Sequence, residues 1–578
     1  RARLRRCGPV GANRPAALAL LREAARRSLG RRPYDVQLLA AALLLQGRMV
    51  EMSTGEGKSL TALLTAAIAA LSGWPAHVVT VNDYLAARDA EEGRPLFHRL
   101  GLTVGAIVHE VAREDRAAVY ACDVVYASNK EIAFDHLRDR LALGAAPDPL
   151  RDRIDRLRRT TDAPVMRGLH FCIVDEADSV LIDEARTPLI LSATTDPDAE
   201  RAKAEASFAL ADLLQEGRDF KLDLGERHLD LTPAGRARLA QLAGSDPEWQ
   251  NSARRDGAAE RALRARHLFQ RGDHYVVQDG KVVIVDEYTG RLQPERSWSN
   301  GLHQLVEWKE GVAVTGERQT LARTTYQRFF GSYLRLSGMS GTVREVAAEV
   351  SVVYGLRSVA VPTRLPSRLS RLGTRITARA EDKIALIQRR AEELARSGRP
   401  VLIGTRTVAA ADALSAALRQ AGVPHVTLSA TSPEVEAAVV AAAGTPGRIT
   451  VATNMAGRGV HIDLADDVAK AGGLHVILTE RHDSARIDRQ LEGRSARQGQ
   501  PGSTEAVLAL DDDLLNAARA PLLRLLARLP GWPGQIAARL LFRRAQRRSE
   551  AANRTARRAL LRQDKDLRQM MAFAGDDR

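Results

Sequence analysis

Residues 50–64 read VEMSTGEGKSLTALL, a glycine-rich turn followed at once by Lys58, Ser59 and a run with helical spacing. Glycine at 55 and 57 lets backbone N–H groups close round phosphate oxygens, and the start of the helix adds favourable partial charge. In such a loop Lys58 reaches the β- and γ-phosphates and the Ser59 hydroxyl ligates Mg²⁺. The general phosphate-loop pattern asks for glycine where this chain has Met52. Taken alone, the stretch therefore also reads as a turn that merely caps a helix. Residues 171–180, FCIVDEADSV, narrow the choice. An apolar strand ends there on Asp175 and Glu176, and the C-terminal end of a parallel strand is where a nucleotide's metal sits in open α/β sheets. Asp175 would hold Mg²⁺ through water, and Glu176 would orient or deprotonate the attacking water.

Outward from these motifs, β-branched runs alternate with Ala- and Leu-rich windows. Residues 76–81, 103–108, 123–127 and 171–174 read as buried parallel strands, with helices over 60–71 and 84–100. That alternation predicts a doubly wound α/β fold. The texture changes after Pro197: 200–214 is helical, 225–231 is polar, and 274–285 reads as a hairpin turning on Asp279-Gly280. The α/β rhythm returns over 356–513, with strands at 400–404, 423–428, 448–452 and 473–478. Residues 522–571 are arginine-rich and helical, and the spacing over 543–566 suits one long exposed helix.

Composition sets the outer limits. At 578 residues the length suggests three or four domains. Apolar residues at 45% and charged residues at 27% exclude wholesale disorder. Cys7, Cys122 and Cys172 are far apart and form no C-x-x-C, which excludes a disulfide framework or a cysteine zinc knuckle and favours a reducing, cytoplasmic setting. No apolar run approaches membrane-spanning length, and the basic start carries no signal-peptide core. The net charge of +14 does not by itself select a partner, because the excess is nearly all arginine in an alanine-rich chain.

A third group of residues lies in the second α/β region. Arg458 falls in ATNMAGRG, just after the strand ending at Ala452, and RIDRQLEGRSARQGQPG sets Arg494 and Arg497 three apart, near one face if that segment is helical. Two arginines from a second fold can span γ-phosphate oxygens and stabilise transition-state charge. Two such folds with a nucleotide between them have the architecture of a superfamily 2 helicase-type motor.

The strings EMSTGEGKSL, VVTVNDYLAARDAE, VVYASNKEIAFDHLRD, IVDEADSVLIDEARTPLI, VIVDEYTGRLQPERSWSNGLHQLVEWKEGV, LSGMSGT, ATNMAGRG and GGLHVILTERHDSARIDRQLEGRSARQGQPGS make the resemblance specific. In this order, from about Tyr34 to Leu515, they closely resemble the SecA preprotein translocase ATPases. The resemblance implies α/β architecture with two RecA-like nucleotide-binding folds, an inserted α+β domain and a C-terminal helical extension. The first fold would cover residues 1–196 and resume at 336–358, the preprotein cross-linking-like insert 197–335, the second fold 359–515, and a truncated helical scaffold 516–578. It implies ATP and Mg²⁺ as cofactors, with Gln37 reading adenine and Thr54, Gly55, Glu56, Gly57, Lys58 and Ser59 forming the phosphate loop. Asp175 and Ser59 would serve the metal, Glu176 the water, and Arg494 and Arg497 the transition state, while Ser340-Gly341-Thr342 would couple nucleotide state to the insert. Ser192-Ala193-Thr194 spells a helicase motif but falls where the family has an ordinary strand end.

The chain also departs from the family. Gly459-Val460-His461-Ile462 stands where the family has Gly-Thr-Asp-Ile, so His461 replaces a nucleotide-contacting aspartate with a group that is no fixed anion at neutral pH. After Leu515 about 60 residues follow, which implies a short form without the family's wing, two-helix finger and zinc tail. The implied partners are unfolded preproteins and a SecYEG-type membrane channel, with peripheral association at the inner membrane face. Acidic lipid and a homodimer are left open. Nucleic acid is disfavoured, since aromatics total only 4% and no stacking platform is visible. The competing readings are a nucleotide-binding regulatory remnant and a superfamily 2 RNA helicase.

Overall fold

Seven short runs bounded by turn residues pair into one sheet. They are β1 (Arg48–Glu51), β2 (Ala76–Thr80), β3 (Val104–Ile107), β4 (Val124–Ser128), β5 (Phe171–Asp175), β6 (Arg335–Ser340) and β7 (Arg357–Ala360). Their order is β7-β1-β6-β5-β2-β4-β3, parallel throughout. Every residue of β2, β4 and β5 is buried, as expected where helices cover both faces of a parallel sheet. The computed structural model describes residues 2–573 apart from 10, 12, 144–163, 224–227, 243–248, 286–291, 294–296, 429–437, 454–461 and 519.

The placement of β6 decides which loops meet. It lies between β1 and β5, although residues 190–323 separate it from β5 in sequence. Three adjacent strands therefore deliver residues 52–57, Gly341-Thr342 and Glu176–Asp178 to the same edge of the sheet. Three helices flank this edge: α1 (Asp35–Leu44), α2 (Lys58–Leu71) and α3 (Asp83–Arg99).

A second parallel sheet contains β8 (Arg368–Thr377), β9 (Val401–Thr405), β10 (Val426–Leu428), β11 (Ile449–Thr453), β12 (His475–Leu478) and β13 (Pro501–Ala509), in the order β8-β13-β12-β9-β11-β10. Helix α4 (Ala485–Glu492) follows β12. Both sheets belong to one compact unit, residues 1–189 with 324–578, where length alone suggested more divisions. Residues 190–323 form the other unit. Its core stacks Phe208 on Trp308 with ring centroids 4.7 Å apart, beside Leu263 and Tyr275. Its hairpin pairs Tyr275–Gln278 with Lys281–Val285, and the positive φ of Asp279 and Gly280 (51° and 72°) gives the turn a twist matching the strands. The DEYTGR motif that follows lies outside the described residues.

The helix expected over 543–566 forms and is mostly exposed, as part of a longer element. Helix α5 (Pro521–Ala527) leads into α6 (Trp532–Phe573), which carries Ala538, Leu541, Phe542 and Ala545 into the core of the second sheet. Further along, Arg557 makes a two-point contact of 2.7 Å per bond with Glu349, which follows β6. Over 543–566 the buried residues are Ala545, Arg557 and Leu560, so the helix buries a narrow stripe and leaves the rest to solvent.

One buried histidine makes the fold sensitive to acid. His77 in β2 is 3% exposed and its Nδ1 lies 2.8 Å from the Tyr333 hydroxyl. Burial, with a smaller contribution from Arg167, lowers its pKa from 6.5 to about 4. Below 6.5 the unfolded chain takes up a proton that the folded chain refuses. Stability is thus complete above that pH and is lost as pH falls towards about 4, by up to about 3 kcal/mol from this group. Denaturant titrations across this window should show a flatter pH profile for His77→Gln than for the wild type. Parallel profiles would contradict the assignment.

Candidate nucleotide site

The turn after β1 is built to leave its backbone open. Met52 N–H donates to the Ser340 carbonyl at 2.9 Å, which ties the loop to β6. Gly55 and Gly57 have φ of 91° and 87°, a left-handed conformation that other residues adopt only under strain. Gly57 is also the cap of α2, so Lys58 begins the helix and its first N–H groups face the loop. A Cβ on Gly57 would lie 2.3 Å from Nε2 of Gln37. Gln37 uses that space: it is 4% exposed, donates from Nε2 to the Glu56 carbonyl at 2.9 Å, and accepts from Tyr34 N–H at 2.9 Å. Gly57→Ala is therefore expected to displace Gln37 and weaken ATP binding by about tenfold or more, measurable by calorimetry. Unchanged affinity would show that the loop tolerates a side chain there.

Lys58 and Glu176 are paired at 3.0 Å, both largely buried. Burial opposes the charge on Lys58, but the carboxylates of Glu176, Asp175 and Asp178 outweigh it and hold the pKa above its ordinary value. Asp175 moves the other way from a normal carboxylate, pushed up by burial and then by the Glu176 charge. Glu176 itself sits at φ 48°, a conformation that costs a non-glycine residue about 1–3 kcal/mol. That turn aims its carboxylate back towards Lys58. Asp89 of α3, beside Ser59, is a third carboxylate whose charge bears on Asp175.

The second sheet supplies the opposite wall. The expected helical face for Arg494 and Arg497 is not what forms. Helix α4 ends at Glu492 and Gly493, and both Ala496 and Gln498 take left-handed φ (55° and 52°), which breaks any helical continuation. The two arginines thus lie on an irregular loop. Arg497 is 7% exposed, and its stem packs on Gly55 so closely that a Cβ there would meet Cδ at 2.9 Å. Its Nε donates to the Gly493 carbonyl at 3.0 Å, while Gln498 Nε2 donates to the Gly55 carbonyl at 3.2 Å. Burial and the neighbouring Arg494 charge lower its pKa, and Glu176 partly offsets them. Thr54 fills the seam between the two walls: Cβ atoms added to Gly341 and Gly493 would come within 2.9 and 3.2 Å of its hydroxyl. Arg458 and His461 lie outside the described residues.

Two models of SecA domains match this chain, the SecA DEAD-like domain over residues 1–351 and the SecA P-loop domain over 374–469 and 465–528. Protein translocase subunit SecA 2 of Bordetella avium (strain 197N) is 46% identical over 582 residues, covering 99% of this chain and 87% of that protein. The chain belongs to the SecA family. SecA 3 of Magnetococcus marinus (strain ATCC BAA-1437 / JCM 17883 / MC-1) is likewise 46% identical, over 99% of this chain and 88% of its own length. SecA of Solidesulfovibrio magneticus (strain ATCC 700980 / DSM 13731 / RS-1) is 43% identical, over 96% and 65% respectively. The family and the loop architecture together make this SecA-family chain a nucleotide-binding ATPase.

Several residues of this SecA-family site were not visible in its sequence. Arg486 on α4 is 1% exposed and donates to Asp178 at 2.6 Å and to Asp183. Asp178 also accepts from Gln490 and from the Thr342 hydroxyl. The last acid of DEAD is therefore the point where both sheets and the Ser340–Thr342 turn meet. A guanidinium between two carboxylates in a dry seam is strongly held, since removing one partner strands the others. Arg364 adds a second clasp: its N–H donates to Glu56 at 3.0 Å and its guanidinium stacks 3.6 Å above the Tyr34 ring. Arginine is too frequent in this chain for sequence to single out either one.

Proposed function

We propose that this chain is a SecA-type motor that hydrolyses ATP between its two sheets and couples the reaction to movement of unfolded preprotein at the bacterial membrane. It would work on the cytoplasmic side, as a peripheral partner of a SecYEG-type channel. The observation that supports this most is the packing of Arg497, from the second sheet, on Gly55 of the loop that ends β1. Hydrolysis at such a seam can open and close it, and opening is what a motor transmits.

In this reading the Lys58–Glu176 pair is a mutual lock. Incoming phosphates draw Lys58 away, which frees Glu176 to accept a proton from the attacking water. Arg494 and Arg497 stabilise the charge that develops on the transferred phosphoryl group. Gln37 positions the base and holds the loop, and Arg458 and His461 complete the nucleotide contacts. The hydroxyl of Ser59 and the carboxylate of Asp175 are hard oxygen donors that fit Mg²⁺, and the crowding of Asp175, Glu176 and Asp89 favours a cation. Bound there, Mg²⁺ would neutralise phosphate charge. Residues 197–335 would grip preprotein, and 516–578 would act as a scaffold across the two sheets.

The test is ATP turnover by the whole chain, alone, with an unfolded signal-bearing polypeptide, and with single-stranded RNA. Stimulation by polypeptide only is expected. Stimulation by RNA only, or turnover indifferent to Glu176→Gln, would overturn the reading.

A further inference from the structure

Residues 361–367, VPTRLPS, join β7 of the first sheet to β8 of the second. Pro362 and Pro366 stiffen this strap, and three contacts fix its course. Val361 N–H donates to the Glu51 carbonyl at 2.9 Å, and Arg364 N–H donates to the Glu56 carboxylate at 3.0 Å. Leu365 packs on the arginine loop, where a Cβ on Gly499 would meet its Cδ1 at 2.7 Å. The strap therefore carries the Arg364 side chain to a set place, not to an arbitrary point on the surface.

That place is the ring of Tyr34, with the guanidinium 3.6 Å from its centroid. Tyr34 directly precedes α1 and is 40% exposed, so the core does not use its outer face. Its N–H donates to Gln37 Oε1 at 2.9 Å, and Gln37 Nε2 donates to the carbonyl of the same Glu56 that holds the strap. An aromatic face thus lies one hydrogen bond from the side chain that reads the base in the proposed nucleotide site. Two planar groups suit such a face, a nucleobase and a guanidinium. At 3.6 Å the guanidinium is in contact with the ring and leaves no room for a base between them. A base stacked on an aromatic ring is held more strongly than an exposed guanidinium over the same ring, so the base prevails but binds against a competitor.

We propose that Arg364 is a specificity-determining residue that competes with the nucleotide's base for the face of Tyr34. Only a ligand that carries a base pays for displacing it, so Arg364 sets the affinity for ATP without bearing on the phosphates. This rests on the nucleotide-binding reading of the same site. Its test reads binding of the base, whereas that reading is tested by turnover and its stimulation, so either can fail alone.

The experiment is calorimetric titration of the full chain with Mg²⁺-ATP and with Mg²⁺-tripolyphosphate, which has the phosphates and no base. Arg364→Ala keeps the N–H that Glu56 holds and removes the competitor. It should bind ATP about two- to fivefold more tightly than the wild type and tripolyphosphate equally well. Arg364→Lys keeps the charge without the planar face and should fall between the two. Tyr34→Leu should weaken ATP binding, and adding Arg364→Ala to it should change nothing further, because the shared ring is gone. A merely structural role for Arg364 would shift both ligands together and persist without Tyr34. Unchanged or weaker ATP binding by Arg364→Ala, an equal shift for tripolyphosphate, or a full effect in the Tyr34→Leu background would each overturn the proposal.

Discussion

Glu176→Gln is expected to lower steady-state ATP turnover by about 10²–10⁴-fold while ATP binding stays intact or tightens. The substitution keeps the shape of the side chain and removes its capacity to take a proton. It also releases Lys58, which in the wild type is held by Glu176 at 3.0 Å and must leave that partner to meet phosphate. The asymmetry between binding and turnover is the informative part. Single-turnover hydrolysis and calorimetric titration of the same preparation would give both numbers. Hydrolysis within threefold of the wild type would remove Glu176 from the chemistry.

The second large effect is expected from the arginine loop. Arg494→Ala and Arg497→Ala should each lower turnover, by up to about 10³–10⁵-fold, with ATP affinity changed far less. Arg497 also packs on Gly55, so its alanine variant loses a contact as well as a charge. Arg497→Lys separates the two: it restores the charge and much of the stem but not the planar fork, and should recover little activity. Loss of ATP binding with normal residual turnover would place these residues outside transition-state stabilisation.

Local chemistry made much of this architecture legible. The strands at 76–80, 124–128 and 171–175 are apolar, β-branched and closed by turn residues, and they form with their neighbours as the pattern requires. The hairpin at Asp279-Gly280 is equally local. Elements whose reason lies far away in sequence were not legible. Strand β8 (RLSRLGTRIT) is polar and glycine-interrupted, and it exists because β13 pairs with it from residues 501–509. Arg486 looks like any surface arginine until Asp178, 308 residues earlier, is brought against it.

The irregular course of 493–499 had the same origin. Residues 485–499 carry a helical pattern, but the loop must bend sharply to lay Arg497 on Gly55, and two left-handed residues make the bend. The α5–α6 hairpin shows a related limit. Its apolar spacing was readable as an amphipathic helix, yet which stripe is buried depends on where the second sheet's core ends.

The central claim is that one triphosphate is held from the β1 side by Lys58 and from the β12 side by Arg494 and Arg497. A structure of the chain with Mg²⁺ and a non-hydrolysable ATP analogue tests this most directly. It should show Lys58 parted from Glu176 and within hydrogen-bonding distance of phosphate, with at least one of the two guanidinium groups on a γ-phosphate oxygen. A nucleotide bound with the Lys58–Glu176 pair intact and both arginines turned to solvent would contradict it.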